Sequence, residues 1–179
     1  MTRTRRCVLL VGLAPLLLLL CLPVRAAALP DPVPVGVWPL QPAPPPVVTH
    51  FDPPADPYAA GHRGVDLLGH PGQVVATALA GSVTYAGLLA GRGVVVVDHG
   101  TTRTTYQPVS ASVTVGTSLA AGDPIGTLEL PGSHCFPRSC LHWGWIEGET
   151  YLDPLLLVGG GPVRLLPLWR HEPLARPTR

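Results

Sequence analysis

Lysine is absent from this chain of 179 residues, and all 12 positively charged side chains are arginines. Alongside abundant Ala, Gly, Pro and Val, that absence reads as a coding bias rather than a functional signal. Net charge is also missing, at a formal +1. No basic patch points to nucleic acid, and no acidic tail points to a solvating segment. No stretch carries an apolar stripe at helical period, which argues against a helical architecture. No repeat of solenoid length is present. Cysteine is sparse, at four residues. The length suffices for one domain with a real core and little more.

The N-terminus is the most strongly patterned part. Arg3, Arg5 and Arg6 precede a nearly unbroken apolar run from Cys7 to Leu22. Small residues follow at Val24-Arg25-Ala26 and Ala26-Ala27-Ala28. The pattern predicts a secretory signal over residues 1–28 and a secreted, extracytoplasmic protein. The alternative is an uncleaved anchor that would hold the protein at a membrane. The run is short for a full span and Pro15 interrupts it, which favours cleavage. Lipidation at Cys21 would need a smaller residue than Leu20 before it. Cleavage leaves eight arginines against eleven acidic residues, a net charge of −3, and two cysteines, Cys135 and Cys140. In an oxidising compartment such a pair reads first as a disulfide.

Residues 29–46 form a Pro-rich lead-in that cannot be helical, with Trp38 and Leu40 expected to pack it onto the domain. From Val74 onward come short β-like runs: Val74–Ala78, Ser82–Ala86, Val94–Asp98, Thr102–Gln107, Ser112–Val115, Ile125–Leu128 and His142–Ile146. Gly and Pro punctuate them, as at Ala80-Gly81, Gly91-Arg92-Gly93 and Gly122-Asp123-Pro124. This spacing predicts an all-β, antiparallel domain over 47–158. Leu155-Leu156-Leu157-Val158 reads as its last packed element, and 159–179 as a C-terminal tail.

Two short pieces carry the chemistry. Gly61-His62-Arg63-Gly64-Val65-Asp66 offers an imidazole and a carboxylate four residues apart, with glycines that allow a tight bend. Cys140-Leu141-His142-Trp143-Gly144 offers a second imidazole. In a strand, residues 140 and 142 share one face while Leu141 and Trp143 take the other. Two imidazoles and a carboxylate form a common zinc ligand set that leaves one position open. Taken singly, each piece also fits a bland reading: a surface turn with a capped Asp, or a satisfied core histidine.

The order of motifs narrows the choice. After Gly-His-Arg-Gly-Val-Asp come Gly81-Ser82-Val83-Thr84-Tyr85-Ala86-Gly87, Val94-Val95-Val96-Val97-Asp98-His99-Gly100, Thr105-Tyr106, Ala121-Gly122-Asp123-Pro124-Ile125-Gly126 and Leu141-His142-Trp143. Over about residues 47–158 the chain resembles the LytM/lysostaphin-type family of zinc peptidoglycan endopeptidases. The resemblance implies a single compact antiparallel β-sheet domain with a groove, of the LytM or duplicated-hybrid-motif type. It implies Zn2+ held by His62, Asp66 and His142, a monomer, a location at the cell wall, and hydrolysis of peptidoglycan stem or cross-bridge peptides.

Two helper histidines of that family have no counterpart. Pro108 stands at one of their positions and Cys140 at the other. Cys140 either bonds to Cys135 or serves as a fourth zinc ligand that closes the site. His134, just before the cysteine loop, is a candidate catalytic base or oxyanion donor in their place; the alternative is a loop histidine in solvent. His99 reads as structural, and His50, His70 and His171 as solvent-facing. Tyr106 and Trp143 read as core aromatics or as supports of the groove. These departures leave two functions open: a zinc endopeptidase, or a weakened, zinc-bearing module that binds wall peptides and regulates.

Overall fold

A computed structural model describes residues 35–56 and 58–159. The expected signal segment and nearly all of the expected tail lie outside the described residues. The strands are β1 Val47–Thr49, β2 Val65–Gly69, β3 Val74–Ala76, β4 Gly81–Leu89, β5 Arg92–Asp98, β6 Thr102–Gln107, β7 Val109–Ala111, β8 Ser118–Leu119, β9 Pro124–Leu128, β10 Ser139–Glu147 and β11 Thr150–Leu152. A 3-10 helix, Pro154–Val158, follows. The domain is all-β and antiparallel, as its punctuation predicts. One sheet has eight strands, in the order β1-β2-β10-β6-β5-β4-β8 with β11 added beside β10; β3-β9-β7 make a second sheet of three.

Alternation decides which faces are buried. Along β6, Thr102, Thr104 and Tyr106 are buried while Arg103, Thr105 and Gln107 are partly exposed. On β5, Val95 and Val97 reach the core in the same way. β10 is different, being buried along both faces from Ser139 to Ile146. It lies between β2 and β6, and its Leu141 and Trp143 are fully buried in the core. The lead-in joins that core: Leu40 is fully buried, and the Trp38 ring tilts against Trp143 at 6.4 Å between centroids.

Some strands differ from the sequence reading, while the packed run at its end is present. β1, β2, β8 and β11 are strands that the reading does not expect. The expected strand Ser112–Val115 is absent, and the chain pairs earlier, Val109 with Leu128 and Ser110 with Thr127. Burial explains the shift, because Val109 is fully packed whereas Val115 is 63% exposed. The run at 155–158 is the 3-10 helix, capped by Asp153 at its start and ended by Gly159 in the left-handed conformation, with φ of 78°.

Candidate metal centre

Three side chains from two neighbouring strands and the segment before them converge beside β10. Asp66 on β2 and His142 on β10 are register partners, so both side chains stand on one face of the sheet. Asp66 Oδ1 lies 3.0 Å from His142 Nδ1 and 3.2 Å from His62 Nε2. His62 Nε2 lies 3.0 Å from His142 Nδ1. His62 itself is set by a bridge between its backbone and Asp52.

The glycines of the first motif act by permitting close approach. Neither Gly61 nor Gly64 has positive φ. At Gly64 a methyl would meet the Trp143 carbonyl and the His142 ring, and at Gly61 it would meet Asp52 and Pro54 backbone. The expected bend is present at Arg63 and Gly64, and the glycines serve it by allowing close packing rather than a left-handed backbone.

His134 arrives from the loop between β9 and β10. Its Nδ1 lies 3.3 Å from Asp66 Oδ1, and its side chain keeps 31% exposure while Asp66 keeps 4%. One donor atom from each of His62, Asp66, His134 and His142 lies within 4.8 Å of all the others. Cys140 is not a member of this group. It is fully buried and bonded to Cys135, with a Cα–Cα distance of 5.7 Å. Of its two sequence readings, the structure contains the disulfide.

The protonation pattern tests the site for a cation. His62 Nδ1 lies 2.8 Å from the His50 carbonyl oxygen, which can only accept, so His62 donates there. Its Nε2 is then a bare lone pair aimed at the Asp66 carboxylate and the His142 ring. Burial raises the Asp66 pKa, but hydrogen bonds from His134 and His142 and the neighbouring imidazoles outweigh it and hold the carboxyl well below the usual carboxylate range. Burial lowers the His142 pKa, against the opposing pull of Asp66. An ionised carboxylate and the inward lone pair of His62 suit a cation, and His142 Nδ1, which donates to Asp66 here, gives up that proton when it ligates a metal. The spacings of 3.0–3.2 Å among the three donors match those expected around one zinc ion, about 3.3 Å for bonds of about 2.0–2.1 Å in a tetrahedron. These residues fit zinc.

The model of peptidase family M23 matches residues 60–154, from just before His62 to just past β11. The chain belongs to this family. An uncharacterized protein of Mycobacterium tuberculosis is 48% identical over 136 residues, which cover 73% of this chain and 54% of that protein. A Mycobacterium bovis protein matches to the same extent. The chain thus spans about half the length of these relatives. Among solved structures, Helicobacter pylori Csd3 superposes with a TM-score of 0.61 at 22% identity, over 75% of this chain and 37% of that one. The catalytic domain of lysostaphin from Staphylococcus simulans gives 0.54 at 21% identity, over 64% and 92%. At those identities the structures show a shared fold.

Other predicted residues fall away from this M23-type centre. Pro108 is buried, one residue past Gln107, which faces His142 in register. Tyr106 and Trp143 are core residues. His99 is structural, bonded to the Ala80 carbonyl and to Thr104 Oγ1, each at 2.8 Å. The His50 side chain faces solvent, yet its carbonyl fixes His62; a backbone acceptor leaves no trace in a sequence. Arg92 was also missed: its Nη1 lies 3.2 Å from His134 Nε2. An open cleft of about 580 Å3 lies along Pro53, Pro54, Asp56, Arg63, Glu149 and Tyr151, and Arg63 is the residue after His62.

Proposed function

We propose that this domain is an exported, zinc-dependent peptidase that cuts peptide bonds in peptidoglycan. The observation that supports it most directly is the inward lone pair of His62, fixed by its bond to the His50 carbonyl and met by Asp66 and His142. His62, Asp66 and His142 would hold the metal. When bound, zinc supplies a Lewis acid for a peptide carbonyl and makes water a nucleophile at neutral pH. Asp66 stays ionised through the physiological range and balances part of the metal charge. An extended peptide would lie in the cleft lined by Arg63, the residue after His62. His134 takes the helper role that Pro108 and Cys140 cannot, as a hydrogen-bond donor to the carbonyl oxygen as it gains charge.

A second reading rests on the same two residues. Pro108 has no side-chain donor, and the Cys140 sulfur is spent in a disulfide. If His134 does not compensate, the domain is a zinc-bearing module that binds wall peptides and regulates a partner. Purified mature protein incubated with peptidoglycan, with zinc and with chelator, separates the two. New amine ends that vanish with chelator and in His62→Ala support the peptidase. Stoichiometric zinc without new amine ends leaves the binding module.

A further inference from the structure

The loop that brings in His134 is held at each step. Gly132 has φ of 81°, and a methyl there would run into Cγ and Cδ of Arg92. The aliphatic stem of Arg92 therefore lies against the turn. Ser133 Oγ accepts the backbone N–H of Cys135 at 3.2 Å and of Cys140 at 2.9 Å, and donates to the Arg138 carbonyl at 2.9 Å. The Cys135–Cys140 bridge then ties the loop to β10. Cys140 stands where the family resemblance calls for a histidine, and here its bond secures the loop that supplies one.

His134 sits between two partners. Its Nδ1 is 3.3 Å from Asp66 Oδ1, and its Nε2 is 3.2 Å from Arg92 Nη1. A guanidinium keeps its charge at any working pH and offers donors only. The nitrogen it faces must accept. Nε2 of His134 is therefore bare, and the proton of the neutral ring sits on Nδ1, directed at the site. A ring nitrogen that carries its proton cannot ligate a metal. Asp66 reinforces the choice, since its carboxylate accepts that proton's hydrogen bond.

We infer that Arg92 is a positioning residue: it holds His134 in the Nδ1–H form, keeping this ring out of the metal shell and presenting a donor to the substrate carbonyl. Without Arg92 the proton is free to move to Nε2, and the bare Nδ1 becomes a fourth ligand beside His62, Asp66 and His142. Four protein ligands describe a closed, structural zinc site, whereas three leave the open position that catalysis needs. One guanidinium thus selects between the two. The inference rests on the reading that His62, Asp66 and His142 bind zinc.

The test begins with the unaltered protein. Nitrogen-15 spectra of the imidazoles in the zinc-loaded domain are expected to show His134 protonated at Nδ1 and bare at Nε2. The reverse pattern, with Nδ1 on the metal, overturns the assignment. Zinc affinity gives a second reading, through competition with a chelating dye. His134→Ala alone should leave affinity within about twofold, because His134 is not a ligand, whereas in an Arg92→Glu background the same change should cost about tenfold or more. Equal losses in both backgrounds overturn the inference. Arg92→Lys, which keeps a donor on a similar stem, should retain the wild-type tautomer; loss of it there would also count against the inference. If the tautomer is as stated but no peptidoglycan is cut, the peptidase reading fails and the role of Arg92 stands. If peptidoglycan is cut and the tautomer is reversed, the opposite holds. Failure to take up zinc sinks both.

Discussion

Asp66 and His142 face each other across adjacent strands, 76 positions apart in the chain, with Oδ1 and Nδ1 at 3.0 Å. That pairing ties the backbones of the two proposed ligands together through the β2–β10 ladder. Asp66→Ala should therefore reduce zinc affinity by at least about 100-fold, the upper end of what even an outer partner costs. A chelating-dye titration checks this; an unchanged affinity would remove Asp66 from the ligand set.

Gly64 offers a sharper test of the packing. In Gly64→Ala the methyl meets the Trp143 carbonyl and the His142 ring. Overpacking of this kind costs about 1–3 kcal/mol of stability. Zinc affinity should fall with it, since the ring that must move is a ligand. Gly87→Ala, where only the Tyr85 ring lies nearby at ordinary contact distance, should do neither. Thermal unfolding with and without zinc reads both variants.

The Cys135–Cys140 bridge should separate rate from metal binding. Cys135→Ser leaves the buried Cys140 in place and frees the His134 loop. Loop-closure entropy for so short a span gives a stability loss of about 2 kcal/mol. Zinc affinity should hold, because the three ligands lie outside the loop. Turnover on peptidoglycan should fall by about 100-fold, the lower end for a lost positioned group. A matched loss of zinc would show that the loop supports the ligands instead.

His99 predicts a pH effect away from the metal. Burial lowers its pKa from the ordinary 6.5, against the pull of the Ala80 carbonyl and Asp98. The unfolded chain therefore binds the proton at a higher pH than the folded one. Stability from this group is fully present above pH 6.5 and is lost as the pH falls from there through the folded pKa. Denaturant midpoints between pH 7.5 and 5 should fall in the wild type and fall less in His99→Gln. An equal decline in both would assign the effect elsewhere.

The fold class was legible because Gly and Pro break the chain into strand-sized runs, and β6 was read with its observed ends. β2 escaped because a strand that carries a ligand looks like a loop: Asp66 interrupts Val65 and Leu67, and glycines flank the segment. In fact Val65 and Leu67 fill the core while Asp66 turns to the site. His62, Asp66, His134 and His142 were each nameable from sequence, and the structure brings all four together. Their supports were not. The His50 carbonyl is backbone, and Arg92 lies 42 residues before His134, on a strand whose apolar pattern says nothing of its first residue.

The distance along the chain between Asp66 and His142 sets when the site can exist. A product that stops short of β10, or one still emerging N-terminus first, carries two of the three ligands at most. Unfolded chain would have to close a long loop to gather them, so zinc bound as proposed would favour the completed sheet over every fragment of it. The metal-binding state is a late property of the chain. On the proposed zinc reading, copies that end before β10 would hold the metal weakly, and free zinc around the protein would help determine how much of it remains folded.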